Sequence, residues 1–463
     1  MKEIHVIGAG LAGCEVVYQL RNCQLPVILH EMKPQHYTEA HHKPYFAELV
    51  CSNSLRSDQL SNGVGLLKQE MRFSDSLIMR CADKTKVPAG GALAVDRDQF
   101  GQMVTATIKE QANVQICEHQ VHDLRELIAD KNKLVVVATG PLTTGDLYNS
   151  VLECLGEESL FFFDAAAPIV FADSLEQDSI FHASRYGKGT ADYLNCPLNR
   201  EQYLQFYHEL KTAKRATVHD FDSSNLFSGC MPIEEMAELG EDTMRFGPLK
   251  PVGLVDPKTG KEPYACVQLR KENVAGNLYN LVGFQTRLTQ GEQKRVFGLI
   301  PGLKDAKYAR YGVMHRNTYL NSPKLLVTNY RSAKYKNLYF AGQITGVEGY
   351  IESAGSGLVV GKCIAQLVSK QTAEHLYDEH LFPATTMLGA MSRFVLAMNK
   401  NFQPMNANFG LLPEIVGDEA KKLRQELEIS VKGRKGKRLL LAGKALKNFM
   451  DITAVKKLLK GCM

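Results

Sequence analysis

The chain has 463 residues, 44% hydrophobic and 23% charged, with a formal net charge of +5. That composition is ordinary for a soluble globular protein, and the length excludes a single compact core, so two domains are expected. The eleven cysteines, scattered from Cys14 to Cys462 without a CxxC pair or metal-ligand spacing, argue against a disulfide scaffold and for a reducing compartment; no metal site is expected.

The start, MKEIHVIGAG, runs directly into a strand and a glycine loop, leaving no room for a signal peptide. No stretch of roughly 18 uncharged apolar residues suggests a membrane span. A cytoplasmic protein is therefore expected. KEIHVI (2–7) reads as a strand and GAGLAG (8–13) as a turn. Leu11, Cys14, Val17 and Tyr18 then recur at helical spacing, and PVILHE (26–31) reads as a second strand. This is the first βαβ unit of a dinucleotide-binding fold.

Residues 33–95 read as an insertion, polar and rich in histidine around His36, His41 and His42. Residues 96–112 read as a helix capped by Asp96. KLVVVATG (133–140) reads as a buried strand ending in glycine. Residues 160–330 carry more aromatic residues, many β-type runs and turns such as VDPKTGKEP (255–263), which suggests a second, mixed α/β domain. NLYFAGQITG (337–346) returns as a strand into a glycine loop, and GSGLVVGKCIAQLV (355–368) reads as a helix. The last 90 residues read as helical. From Lys421 onward 13 basic residues face 3 acidic ones, a basic tail that suits a polyanionic partner or simply a solvated helix face.

The glycine loop has the context that makes GxGxxG informative. Gly8 permits the tight turn, Gly10 lets the backbone approach a pyrophosphate, and Gly13 lets helix and strand pack closely. Ala9, Leu11 and Ala12 complete the loop, and the helix N-terminus presents free N–H groups to phosphates. Glu31 ends the next strand, where it can bind a ribose and repel a 2′-phosphate. Two later segments resemble FAD-binding folds. Gly140 ends ATG (138–140), and Gly342 and Gln343 belong to NLYFAGQ, where the usual acid is replaced by Gln343. No second GxGxxG occurs in residues 150–330, so a nicotinamide donor is expected to bind only transiently.

Four stretches, ELVCSNSLRSD (48–58), GGALAVDRDQF (90–100), LFSGCMPIEEMAELGEDTMRFGPLKPVGL (226–254) and FAGQITGVEGYIESAGSGLVVG (340–361), together resemble the folate- and FAD-dependent tRNA (uracil-5-)-methyltransferase family. The likeness runs in order from residue 1 to about 420. A looser relative is the longer flavoprotein that modifies wobble uridine in tRNA.

The resemblance implies an α/β fold. Its Rossmann-like FAD-binding domain would be discontinuous (1–160 and 331–420), with an inserted mixed α/β domain (161–330) and a basic tail (421–463). It implies FAD as cofactor, with 5,10-methylenetetrahydrofolate and NADH or NADPH as co-substrates. The one-carbon unit would pass by way of the flavin to C5 of a T-loop uridine in tRNA. Gly346, Gly349 and Glu352 would lie with Gly342 and Gln343 around the flavin, with Glu348 and Glu352 structural or ribityl contacts. Cys230 would attack C6 of the uracil, and Cys51 would be general base or shield of the activated flavin. Arg56 is the candidate cation for a thiolate. Tyr350 would stack on flavin or base, or pack beneath the loop.

For RNA phosphates the candidates are Arg287, Lys294, Arg295, Arg310, Arg316 and the run KGRKGKR (432–438). A ribosomal RNA uridine, a small-molecule FAD oxidoreductase and a non-catalytic RNA-binding flavoprotein are the alternative readings. The oligomeric state is left open.

Overall fold

The computed structural model describes residues 2–38, 40–143, 145–156, 160–187, 190–216, 231–369, 379–399 and 402–462, with backbone alone at 160–165 and 315–316. The chain opens with strand β1 (Glu3–Ile7), helix α1 (Leu11–Gln19) and strand β2 (Val27–His30). β1 pairs in parallel with β2 on one side and with Lys133–Val137 on the other. Leu338–Phe340 extends the parallel sheet beyond Lys133–Val137, and Val114–Cys117 extends it beyond β2. Two short antiparallel strands, Arg331–Ser332 and Leu326–Val327, complete seven. The apolar run Leu134–Val137 lies in the middle and is fully buried, as a parallel strand covered on both faces must be.

This order sets three neighbouring strands side by side, β1, Lys133–Val137 and Leu338–Phe340. Their C-terminal ends all run into glycine loops, at 8–13, 138–140 and 342–349. Ligands of open α/β sheets bind at such a crevice.

The helix read at 355–368 extends over Tyr350–Ser369, so Tyr350 and Glu352 occupy its first turn. Its glycines are contact points with α1. A Cβ on Gly357 would lie 2.3 Å from the Ala12 carbonyl oxygen, and one on Gly361 2.9 Å from that of Val16. By length and composition this helix is apolar enough to cross a membrane, but most of it is buried inside the protein, where it packs on α1.

The insertion at 33–95 contains helices Gly63–Phe73 and Leu77–Lys84 and a small antiparallel sheet of Ser54–Ser57, Ala92–Val95 and Lys86–Val87. Two buried carboxylates tie these helices to the rest. Glu15 of α1 accepts from the backbone N–H of Leu77 (3.2 Å) and Ile78 (3.1 Å), and Glu70 from Met387 (2.7 Å) and Leu388 (2.9 Å). Each satisfies the free donors of a helix N-terminus.

A two-stranded antiparallel ribbon, Leu160–Ala165 with Met314–Tyr319, carries the chain out and back. Between its strands lies a six-stranded antiparallel sheet with its own core, including Phe206, Phe284 and Phe297.

The basic C-terminal segment is folded. Helices Gly417–Glu426, Gly433–Leu446 and Ile452–Lys460 bury Leu423, Leu439, Leu446, Val455 and Leu459 in the same core as the parallel sheet. The charges stay outside because only every third or fourth position faces inward. Lys444, Lys447, Lys456 and Lys460 are ion-paired to Glu419, Glu426 and Glu428, while Lys432, Arg434 and Lys437 are exposed.

Candidate cofactor and thiol site

The first glycine loop is built for close approach. Gly8 has φ +99°, and a Cβ there would lie 2.7 Å from the Ala138 carbonyl oxygen. A Cβ on Gly13 would lie 1.9 Å from the Gly8 carbonyl oxygen, so α1 can start against β1 only with glycine there. Around Gly10, by contrast, the nearest atom is 4.0 Å away, and no side chain caps α1. The N–H groups of the helix start are therefore open to an anion. Glu31 is buried, and its two oxygens accept from the N–H groups of Ala9 (2.8 Å) and Lys33 (3.0 Å). These bonds fix the carboxylate beside the loop and leave it lone pairs for a ribose hydroxyl.

Gly8, Ala9, Gly10 and Glu31 line one cleft of about 780 Å³ with Ala138 and Thr139. Gly140 follows with φ +76°. Leu11 and Ala12 are buried behind the loop, where a Cβ on Gly342 would come within 3.0 Å of the Ala12 Cβ. These residues fit a dinucleotide: open N–H donors, a ribose acceptor and a backbone stripped of side chains where phosphates must approach.

The third loop explains the absent acid at Gln343. Its Nε2 donates to Glu348, which places a carboxylate five residues further on, nearly buried. Gly346 has φ +84° and faces the Phe402 ring, 2.5 Å from where a Cβ would lie. Gly349, at φ +116°, is pressed against Glu352 and Arg56. Glu352 is fully buried, ion-paired to Arg56 and accepting from the Ala407 N–H (2.8 Å). Arg56 thus serves Glu352, and the cation beside Cys51 comes from elsewhere.

Cys51 sits four residues after Ala47, whose N–H donates to the Ala9 carbonyl (2.8 Å) and so ties this segment to the glycine loop. The Tyr350 hydroxyl oxygen accepts from the N–H of Cys51 (2.8 Å) and of Ser52 (3.3 Å), and lies 2.9 Å from the Cys51 sulfur. With both lone pairs engaged, its proton points at the sulfur. Burial first, and then Cys51 itself, push the tyrosine well above its usual range, so it stays a donor. Tyr350 is therefore a positioning group for the thiol.

Three arginines clamp the same segment. Arg97 donates to the Leu49 carbonyl (2.8 Å) and pairs with Glu272 (2.8 Å). Arg270 donates to Ser52 Oγ (2.8 Å) and Asn53 Oδ1 (3.0 Å). Arg310 donates to the carbonyls of Val50 and Cys51. Burial, and then the charge of Arg97, push Arg310 down to about 10, which leaves it cationic at neutral pH. Of these arginines, Arg97 and Arg310 interact electrostatically with Cys51, and their positive charge favours a thiolate there.

The family profile described as "Glucose inhibited division protein A" matches residues 3–372. The methylenetetrahydrofolate–tRNA-(uracil-5-)-methyltransferase TrmFO of Acetivibrio thermocellus is 56% identical over 411 residues, 88% of this chain and 92% of that protein. The chain belongs to the TrmFO family. The TrmFO of Exiguobacterium sibiricum is 51% identical over 98% of this chain and its own entire length. Among solved structures, GidA of Aquifex aeolicus superposes with a TM-score of 0.65 at 14% identity, covering 99% of this chain and 88% of that one, which shows a shared fold.

Within the TrmFO frame, the glycine loop and Glu31 share one cleft, Cys51 and Tyr350 are bonded to each other, and the Ala47–Ala9 hydrogen bond links the two groups. Cys230 lies outside the described residues. His36 and His41 line the same cleft as Glu31. Of the cations proposed for RNA, Arg287 is paired with Glu235 and Arg295 with Glu292 and Glu209, and Arg310 is committed to the Cys51 segment. Lys294 is exposed and stands 5.9 Å from the centre of the Tyr311 ring. The side chain of Arg316 is outside the described set. Sequence reasoning missed Arg97, Arg270 and Glu272. Arg97 lies inside the quoted GGALAVDRDQF stretch, but nothing in one sequence ties it to Cys51.

Proposed function

We propose that this protein methylates C5 of a T-loop uridine in tRNA, using 5,10-methylenetetrahydrofolate, FAD and a transiently bound NADH or NADPH. The observation that carries this reading is the thiol of Cys51, bonded to Tyr350 and flanked by Arg97 and Arg310, on a segment tied to the dinucleotide loop. Gly8, Gly10, Gly13 and Glu31 would hold the ADP half of FAD, and Gly342, Gln343, Gly346 and Gly349 would pass along its flavin half. Bound FAD, when reduced, supplies the carrier for the one-carbon unit and the hydride that completes the methyl group.

The protein's own groups supply the rest. Uracil C5 is a poor nucleophile until a nucleophile adds at C6, and a thiolate both adds and leaves readily. Cys230 takes that role by family likeness. The C5 proton must then go to a base. Cys51 takes it as a thiolate, a form favoured by the Tyr350 O–H and by the charge of Arg97 and Arg310. A T-loop uridine must leave its stack to reach this point. Lys432, Arg434 and Lys437 on the C-terminal helices offer charge to the phosphates.

The test is incubation of the FAD-loaded protein with methylenetetrahydrofolate, NADH and either unmodified tRNA or ribosomal RNA fragments, followed by mass spectrometry of the digested RNA. 5-Methyluridine in tRNA alone supports the reading. Methylation confined to ribosomal RNA, or none in either, refutes it.

A further inference from the structure

A second group of side chains with no part in this chemistry lies on the wall of the nucleotide cleft. His30 ends β2, Cys117 is its partner on the neighbouring strand, and His119 follows two residues on. One donor atom from each lies within 4.8 Å of the others. His30 is nearly buried, Cys117 half-buried and His119 exposed, so the cluster opens outward.

The hydrogen bonds decide which His30 nitrogen is free. Lys133 holds the Glu3 carboxylate at 3.1 Å, and Glu3 accepts from His5 Nε2 at 3.0 Å. With its proton on Nε2, a neutral His5 has only a lone pair at Nδ1. The contact of 2.9 Å from His5 Nδ1 to His30 Nε2 therefore requires His30 to donate from Nε2. His30 Nδ1 is left with its lone pair, buried and without a hydrogen-bond partner. A carboxylate–imidazole relay that fixes the tautomer of an outer histidine and leaves its other nitrogen bare is the outer shell of a metal ligand. Metal ligands come here from adjacent strands, which is why no linear spacing announces them.

We propose that His30 Nδ1, Cys117 Sγ and an imidazole nitrogen of His119 form a zinc(II) site at the adenosine end of the cleft. Two imidazoles and one thiolate suit zinc(II) in tetrahedral geometry, with water as fourth ligand. Binding replaces the S–H bond of Cys117 with a sulfur–zinc bond and releases the proton to solvent. The site is independent of the methyl-transfer reading, since its occupancy is measured without RNA or folate.

Cobalt(II) is the probe, because its tetrahedral absorption lies to the red of flavin absorption. FAD-loaded protein freed of metal by a chelator is titrated with cobalt(II), then with zinc(II). The expected result is saturation at one equivalent, a tetrahedral spectrum with a thiolate-to-metal charge-transfer band, and displacement by zinc(II). Cys117→Ser removes the charge-transfer band. His119→Ala, at an exposed position that leaves the fold intact, weakens binding at least tenfold. His5→Phe keeps the band and weakens binding about 10- to 100-fold, the usual loss of an outer-shell partner. No tetrahedral spectrum in the wild type, or a spectrum unchanged in Cys117→Ser and His119→Ala, overturns the proposal.

Discussion

Tyr350→Phe removes one oxygen atom and no packing volume to speak of, so its effect isolates the hydroxyl. That oxygen receives the Cys51 N–H at 2.8 Å and faces the Cys51 sulfur at 2.9 Å. A hydrogen bond to a charged group contributes about 1.5–3 kcal/mol. At 1.36 kcal/mol per decade, its loss slows a step that needs the Cys51 thiolate by roughly ten- to one-hundred-fold. Leaving a backbone N–H without its acceptor costs about 1–3 kcal/mol of stability besides. Two readouts separate these effects. Single-turnover formation of 5-methyluridine, with FAD content checked by absorbance, reports the chemical step. The rate of Cys51 alkylation at neutral pH, followed by peptide mass spectrometry, reports the sulfur alone. Both should fall while FAD stays bound. Full turnover together with unchanged alkylation in Tyr350→Phe would mean that the tyrosine only packs beneath the loop.

Other expectations follow from the same geometry. Gly13→Ala forces a methyl group to 1.9 Å from the Gly8 carbonyl oxygen, so the purified variant should retain less than a tenth of the wild-type FAD by absorbance. Arg97→Met leaves Glu272, with 3% side-chain exposure, without its ion-pair partner. Loss of one member of a buried pair costs about 3–5 kcal/mol, read by urea unfolding, and Arg97→Met with Glu272→Gln should cost less than the two singles added. Burial first, and then the repulsion that a protonated His30 would meet from His5, His119 and Lys133, push His30 down to about 4 from its ordinary 6.5. Between those values the unfolded chain binds a proton that the folded chain does not, so stability falls as pH drops from 6.5 toward 4. The loss reaches at most about 3 kcal/mol, and His30→Gln measured in chelator should lack it.

The parallel sheet and its cradle are legible in sequence because each depends on local chemistry. Strand, glycine turn, helix and acid at Glu31 fall within thirty consecutive residues, and each glycine there has a steric reason visible in the pattern. The helix starting at Tyr350 was read five residues short, because the glycines that look like loop are the points where it touches α1. The helices at 63–84 were not read, since their buried polar residues, such as Lys68 and Glu70, break the apolar period. The basic segment was read as helical, but not that its apolar faces pack into the core of the parallel sheet. Long-range partners are the least legible of all. Cys51 was found by its motif, but Arg97, Arg270 and Arg310 reach it from 46 to 259 positions away in sequence, and only the fold brings them there.

In the proposed reaction, the thiol chemistry of this chain delivers a folate carbon to uridine. It is tested most directly with methylenetetrahydrofolate isotopically labelled at its methylene carbon, incubated with FAD-loaded protein, NADH and unmodified tRNA. Labelled 5-methyluridine is expected with the wild type, and none with Cys51→Ala or Cys230→Ala proteins that still hold FAD. An unlabelled methyl group, or labelled product from either cysteine variant at the wild-type rate, would contradict it.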